Sequence, residues 1–215
     1  MELLTSKIKC GRAWFTHYYL RPYLPLTAGT DSLSHSLLKF KQRIQPDLND
    51  WIDCSVQLLG ELPFSPETII PRALRHDETA ARPDFPSALD LLGHSLAIHL
   101  RCRYLPGLLI KSRTTLPNKH LTRRERWSQL QDVYQLAQNH PLPTPSTPFL
   151  LIDDILTTGT TMRTLISAIR GDCPANPIRT FSLTRADYHL PVRPLPAGKI
   201  RTTESLKSYI FAKTV

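Results

Sequence analysis

The segment that decides the fold runs from Phe149 to Met162 and has the sequence FLLIDDILTTGTTM. Its four leading apolar residues predict a short buried strand, which ends at the two carboxylates Asp153 and Asp154. A threonine-rich loop around Gly159 follows, and then a helix. Ligands of open parallel sheets lie beyond the carboxyl ends of the strands, and a helix N-terminus offers unpaired N–H groups to an anion. The segment therefore predicts an α/β fold with a parallel sheet and an anion site at one strand end.

The polar residues of this segment favour a sugar phosphate as the ligand. Gly159 lets the backbone approach a phosphate closely. Hydroxyl donors come from Thr157, Thr158, Thr160 and Thr161. Two adjacent aspartates would repel that phosphate, whereas the vicinal hydroxyls of a ribose suit two acceptor carboxylates. The alternative left open is an ordinary threonine-rich helix start with solvated aspartates.

Residues 152–161, IDDILTTGTT, resemble the phosphoribosyl-pyrophosphate (PRPP) binding motif of the type I phosphoribosyltransferases. The resemblance implies that Asp153 and Asp154 are the catalytic acids, hold the ribose hydroxyls and lie near a Mg²⁺ cofactor, directly or through water. It implies that residues 157–161 surround the 5′-phosphate. It also implies the parallel-sheet α/β fold of these enzymes with an N-terminal helical hood. The activity expected is phosphoribosyl transfer from PRPP to an unnamed nitrogen nucleophile, with release of pyrophosphate.

A second segment, residues 111–129 with the sequence KSRTTLPNKHLTRRERWSQ, is similar to a stretch of the ComF family of competence-associated phosphoribosyltransferase-like proteins. The residues in register are Arg113, Thr115, Leu121 and Arg126, while Asn118 and Gln129 stand where the family has glutamine and asparagine. The family's N-terminal four-cysteine zinc module is absent, because residues 1–60 contain only Cys10 and Cys54. We therefore expect a ComF-like core with a divergent N-terminal third.

The diphosphate of PRPP needs cations or loop amides beside the ribose site. In type I enzymes the first core strand ends in a pyrophosphate-binding loop, and Pro71 and Arg72 stand at the equivalent place. A long mobile loop follows the second core strand, where this chain has Lys111 and Arg113. The resemblance implies that these four residues bind the diphosphate. The alternative is that they belong to solvated basic loops.

The charge balance favours anionic partners. The chain has 215 residues, with 27 lysines and arginines against 18 acids, for a net charge of +9. Between Arg101 and Arg126 there are eight cations and one acid, and Trp127 follows. A second hypothesis is therefore a non-catalytic protein that binds PRPP and single-stranded nucleic acid, as an accessory or effector in DNA uptake, processing or phage defence. A homodimer is left open.

Proline clusters mark the joints between elements. Periodicity predicts helices over 32–43, 48–62, 87–104, 122–137 and 160–170, and strands over 67–71, 105–111, 149–153 and 178–185. We expect a helical N-terminal region or hood (1–62), a phosphoribosyltransferase core (63–187) and a C-terminal tail (188–215) that completes the hood or an edge. The sequence shows no apolar run of membrane-spanning length and no secretory signal, which predicts a cytoplasmic protein without a membrane partner.

Overall fold

The computed structural model describes residues 2–23, 32–117, 121–138 and 143–187. The strands are β1 (Leu4–Cys10), β2 (Ala13–Tyr23), β3 (Ile69–Ile70), β4 (Arg103–Tyr104), β5 (Leu109–Lys111), β6 (Tyr134–Leu136), β7 (Phe149–Leu156) and β8 (Ile178–Ala186). The helices are α1 (Ser32–Lys41), α2 (Asp47–Leu59), α3 (Ala88–Leu100), α4 (Arg123–Leu130) and α5 (Thr160–Asp172). The predicted tail, 188–215, lies outside the described residues.

Six of these strands form one sheet in the order β1-β2-β8-β7-β3-β4. Every neighbouring pair is parallel except β1 and β2, which are antiparallel. Strands β5 and β6 form a separate antiparallel pair. The α/β fold with a mostly parallel sheet, predicted from the 149–162 segment, is confirmed.

Strand β7 lies inside the sheet, between β8 and β3, and its side chains alternate between two hydrophobic cores. Phe149 and Leu151 pack on the face covered by α5 and the β5–β6 pair. Leu150 and Ile152 pack on the face covered by α1, α2 and α3. Because side chains alternate along a strand, the two acids that follow are directed to opposite faces of the sheet.

A β-hairpin precedes the helices of the N-terminal region, although only helices were predicted there. Gly11, with φ of +57°, occupies the two-residue turn that joins β1 to β2. Strand β2 is rich in aromatic residues and buries Phe15, His17 and Leu20, as a half-covered strand does. Since β2 pairs with β8, the sheet runs across the predicted boundary between residues 62 and 63.

The segment between β4 and β7 also differs from its prediction. The predicted strand over 105–111 is interrupted by a 3-10 turn at Pro106–Leu108, because proline and glycine stop the ladder. The helix predicted over 122–137 ends at Leu130, and Asp132 takes a left-handed φ of +53° before β6 begins. Val133, Tyr134 and Leu136 are buried there. Tertiary packing therefore stabilises a strand in a segment for which the helical pattern predicted a helix.

Within the described residues, the helices are too short or too polar for any of them to cross a bilayer.

Candidate functional site

The loop that follows β7 ends at Gly159, which is the N-cap of helix α5. Gly159 has a φ of +72°, in the left-handed region that favours glycine. A Cβ added there would lie 3.7 Å from Leu156 Cδ1, which is an ordinary contact distance, so the backbone conformation and not steric crowding favours glycine. Among the described residues no side chain caps this helix, and the first intrahelical bond runs from Arg163 N–H to the Gly159 carbonyl at 2.9 Å. The first-turn amides of α5 are therefore oriented as donors for an anion.

The threonine hydroxyls lie around these amides. The hydroxyls of Thr158 and Thr160 are 2.8 Å apart and hydrogen-bond to each other. Thr157 is exposed, Thr161 is half-buried and Thr160 is buried. The five predicted residues 157–161 thus form the end of the loop and the first two residues of α5, directly after the strand that contains both acids.

Arg163, which was not among the predicted site residues, contacts this loop from the first turn of α5. Its Nη2 donates to the Thr158 carbonyl at 3.1 Å. Its guanidinium also lies 5.6 Å from the ring centroid of Trp127 on α4. The sequence pattern that could have indicated Arg163 is its spacing from Thr160, because residues i and i+3 lie on the same face of a helix.

Asp153 belongs to strand β7 rather than to a loop, and its environment disfavours the charged form. Its Oδ1 accepts the N–H of Asp154 at 2.8 Å. Burial, and then the neighbouring charge of Asp154, raise the pKa of Asp153 to about 7, although Lys41 and Lys111 act in the opposite direction. A carboxylate with that pKa can accept a proton near neutral pH.

Asp154 is paired with a residue from the N-terminal region. Its Oδ2 lies 2.9 Å from the Nζ of Lys41, in the last turn of α1. Burial acts to lower the pKa of Lys41, but the charge and hydrogen bond of Asp154, together with the charge of Asp153, raise it above its ordinary value. Lys41 was not predicted as a site residue, and it could not be, because no local pattern links a helix-end lysine to a distant strand.

Arg72 occupies a different environment from the expected diphosphate loop. It is 1% exposed, and its guanidinium donates to Glu78 at 2.8 and 3.1 Å and to Asp90 at 2.6 Å. These carboxylates raise the pKa of Arg72 against the opposing effect of burial. Pro71 is also buried. Both residues sit beside β7, where Ile152 N–H donates to the Pro71 carbonyl at 3.1 Å. Neither side chain faces solvent, and the Arg72 guanidinium is held by Glu78 and Asp90, so the diphosphate contact of these two residues stays a prediction.

Asp90 links this buried arginine to helix α3. It is the third helical residue in a capping box with Ser87, and it also accepts the Tyr104 hydroxyl at 2.6 Å. Burial acts to raise the pKa of Asp90, but the hydrogen bonds from Tyr104, Ser87 and Arg72 hold it below its ordinary value. A single carboxylate therefore fixes the end of β3, the start of α3 and β4 relative to one another.

Lys111 lies at the end of β5 and is only 5% exposed. Its Nζ donates to the Arg75 carbonyl at 2.5 Å and lies 5.4 Å from the ring centroid of Tyr134. Burial lowers the pKa of Lys111 to about 8, although Glu78 and Asp153 act to raise it. The predicted residue is thus on the face of the sheet to which Asp153 is directed, but its ammonium is engaged by the protein.

Arg113 is exposed and stands close to helix α4. Its Nη2 donates to the Gln129 carbonyl at 3.3 Å, and the Gln129 amide bonds the backbone of Leu116 at 3.0 and 3.2 Å. Two positions of the second sequence motif, Arg113 and Gln129, are therefore in contact. Residues 118–120, including Asn118 and Lys119, lie outside the described residues.

The two acids are the oxygen donors available for a divalent cation. The described parts of the chain contain no group of three or more His, Cys, Asp or Glu residues able to hold a metal. Two adjacent carboxylates nevertheless suit Mg²⁺, which prefers oxygen ligands and takes the rest from water and substrate phosphates. The donor set fits a cation brought in with a phosphorylated substrate.

Comparison with known proteins gives matches among solved structures alone, since no protein-family model and no curated protein matches the chain. Adenine phosphoribosyltransferases are among the structures it resembles. That from Trypanosoma brucei, in complex with AMP, pyrophosphate and ribose-5-phosphate, is 13% identical, with a TM-score of 0.43, over 97% of this chain and 100% of its own. That from Leishmania tarentolae is 15% identical, with a TM-score of 0.40, over 77% and 82%. That from Saccharomyces cerevisiae is 13% identical, with a TM-score of 0.41, over 85% and 83%.

Proposed function

We propose that the chain binds PRPP beyond the carboxyl end of β7 and transfers its phosphoribosyl group to a nitrogen nucleophile, releasing pyrophosphate. The observation behind this proposal is the direct succession of two carboxylates and a glycine-capped helix start, with amides and hydroxyls oriented for an anion. The 5′-phosphate lies against residues 157–161, and the ribose hydroxyls lie against Asp153 and Asp154.

The loop and the acids bind different parts of PRPP. The amides of α5 and the hydroxyls of Thr158 and Thr160 hold the 5′-phosphate, and the helix dipole favours its charge. The carboxylate of Asp154 exchanges Lys41 for a ribose hydroxyl or a cation. Positioning the ribose ring in this way accounts for much of the expected rate enhancement, because PRPP and the nitrogen nucleophile have to be aligned and water excluded.

Asp153 has the pKa suited to take a proton from the attacking nitrogen. Bond breaking at C1 of the ribose builds positive charge on the sugar, and the carboxylates that hold its hydroxyls stabilise that charge. Mg²⁺ bound with PRPP supplies charge neutralisation of the leaving diphosphate. Arg113, which is exposed at the start of the segment before α4, is proposed as a diphosphate contact. Lys111, two residues earlier, is proposed to face the same diphosphate, although its ammonium donates to the Arg75 carbonyl.

The alternative is a non-catalytic protein that binds PRPP and single-stranded nucleic acid as an accessory or effector. The exposed cation Arg124 and the exposed ring of Trp127 on α4 favour it. Pyrophosphate release from PRPP, measured against a panel of nucleobases with and without single-stranded DNA, distinguishes the two. Release that depends on a base supports the enzyme, and PRPP binding without release supports the accessory protein.

The acids provide the direct test of PRPP binding. Replacing both Asp153 and Asp154 by Asn should weaken PRPP binding in the presence of Mg²⁺ by about 1.5–3 kcal/mol for each lost charge-assisted bond. Isothermal calorimetry measures this affinity. Asp172→Asn, at the exposed far end of α5, is the control and should leave it unchanged. Equal affinities of the wild type and the double variant would refute the proposed site.

A further inference from the structure

A basic cleft lies beside the proposed phosphate loop, between the β1–β2 hairpin, helix α4 and the first turn of α5. Its volume is about 630 Å³, within the range of small-molecule sites. The lining residues are Lys9, Gly11, Arg124, Trp127, Thr160 and Arg163. Of the residues proposed to bind PRPP, Thr160 alone lines it.

The charges of this cleft select for an anion. Lys9, Arg124 and Arg163 come from three different elements, and no acid is among the lining residues. The acid of α4, Glu125, is exposed and is used by the capping box with Thr122. The Nε of Arg163 is buried and has no hydrogen-bond partner among the described residues. Buried hydrogen-bond donors without a partner are rare in folded proteins, so this donor indicates an acceptor that a ligand would supply.

The aromatic surface of the cleft selects for a flat ring. Trp127 is 45% exposed, so part of its indole remains open beside Arg163. At the hairpin, Lys9 Nζ lies 5.7 Å from the ring centroid of Trp14, which is 62% exposed. Indoles interleaved with cations are the surface on which nucleic-acid bases stack while their phosphates are neutralised.

We propose that this cleft is a nucleotide-binding site. The phosphate lies among Lys9, Arg124 and Arg163, and the base stacks on Trp127. The ligand chemistry is a base linked to a phosphate, which a free mononucleotide or one unit of a single strand can supply. The site rests on the cleft alone and does not depend on PRPP being a substrate.

The test uses the full chain, with AMP and a ten-residue oligothymidylate as probes. Binding is followed by calorimetry at low salt, with ribose 5-phosphate present to occupy the neighbouring phosphate loop. The double variant Lys9→Glu and Arg124→Glu removes two cations from the cleft. The double variant Arg101→Glu and Arg103→Glu makes the same change of charge at exposed positions beside β4, at the opposite edge of the sheet. Thermal unfolding of each variant reports whether it is folded.

We expect the cleft variant to lose affinity by about tenfold or more and the β4 variant to stay within about twofold, since contacts to phosphate rather than net charge determine binding. Trp127→Ala should lower affinity by about fivefold or more, and Trp127→Phe should retain it, because a ring is what stacks. AMP binding identifies a free nucleotide as the ligand. Binding of the oligonucleotide alone, with the logarithm of the binding constant falling linearly against the logarithm of the salt concentration, identifies a single strand.

Three results would overturn the proposal. They are no binding of either probe to the wild type, equal losses in the cleft and β4 variants, or unchanged affinity in Trp127→Ala. Failure of the PRPP proposal is separately visible, because none of these variants alters Asp153 or Asp154. If the chain binds nucleotide in the cleft but does not bind PRPP, the result supports this inference and refutes the proposed function.

Discussion

At the scale of single residues, the buried guanidinium of Arg72 joins three segments of the chain. It satisfies two carboxylates that would otherwise be buried without a counter-charge, Glu78 from the loop after β3 and Asp90 from α3. Its position directly after a strand suggested a ligand-binding cation. Two acids, one six residues and one eighteen residues later in the chain, turned it inward.

Arg72→Gln should therefore lower the free energy of unfolding by about 3–5 kcal/mol, because removing one partner leaves buried charge uncompensated. Urea unfolding followed by circular dichroism measures the change. The control is Arg75→Gln, whose partner Asp77 is exposed, and it should cost no more than about 1 kcal/mol. Similar losses in the two variants would contradict a structural role specific to Arg72.

At the scale of elements, the loop between β7 and α5 and the hairpin at the sheet edge show two ways of placing polar groups. The loop leaves the first-turn amides of α5 without a side-chain cap and places the hydroxyls of Thr158 and Thr160 beside them. The hairpin instead buries a histidine, His17, whose ring nitrogens bond Thr180 and Ser182 of β8 at 2.9 and 3.0 Å. The first arrangement suits a ligand, and the second joins the hairpin to the parallel sheet.

Thr158→Val should weaken binding of ribose 5-phosphate by about 1 kcal/mol while leaving folding nearly unchanged, since the hydroxyl is lost and the β-branched shape is kept. The increase in unfolding temperature on adding ribose 5-phosphate measures it. Thr5→Val, at an exposed position of β1, is the matched control. If ribose 5-phosphate protects the Thr158 variant as well as the wild type, Thr158 does not contact the phosphate.

His17 should make the fold sensitive to acid. Burial, and then the charge of Arg185, lower the pKa of His17 to about 3 in the folded chain, while the unfolded chain takes up this proton near pH 6.5. The contribution of His17 is therefore complete above pH 6.5 and is lost towards pH 3, by at most about 1.4 kcal/mol per pH unit.

The unfolding free energy of His17→Gln should accordingly fall less steeply between pH 6.5 and 4 than that of the wild type. Chemical unfolding at several pH values measures both slopes. His99→Gln, on the exposed face of α3, is the comparison variant and should keep the wild-type slope. A His17 variant with an unchanged slope would show that the imidazole is not buried neutral.

At the scale of the whole molecule, the sheet separates charges that are neighbours in sequence and joins charges that are distant. The basic stretch from Arg101 to Arg126 is divided, because Arg103 lies on edge strand β4 while Arg124 lines the cleft beside β1, the other edge. Conversely, the last turn of α1 meets β7 through Lys41 and Asp154. The site thus includes the N-terminal helical region.

Lys41→Met should raise the pKa of Asp153 further, because the positive charge of Lys41 favours the ionised form. Carbon-13 NMR of the carboxyl groups across pH 5–9, with Asp153→Asn for assignment, measures the midpoint. The unfolding free energy should change by less than about 1 kcal/mol, since the ion pair is partly exposed.

Lys39→Met, on the same helix and facing Asp47 at 3.5 Å, is the control and should leave the Asp153 midpoint in place. An equal shift in both lysine variants would assign the effect to net charge rather than to the contact between α1 and β7.

The sequence by itself determined the features that depend on neighbouring residues. The strand, the paired acids and the glycine start of α5 follow from an apolar run, a polar end and a residue that tolerates positive φ, all within residues 149–162. The capping boxes of Ser87 and Thr122 are likewise local. The 149–162 segment predicted the α/β class and residues 157–161 of the candidate site.

Only the tertiary structure decided which distant groups meet. It buried Arg72 and Lys111, paired Lys41 with Asp154, ended α4 early so that β6 could pair with β5, and placed the β1–β2 hairpin on the sheet edge. The physical reason is that burial and ion pairing depend on three-dimensional neighbours, whereas helix starts and strand ends depend on residues a few positions apart. The cleft of Lys9, Arg124 and Arg163 belongs to the first kind, because its three cations share no segment of the chain.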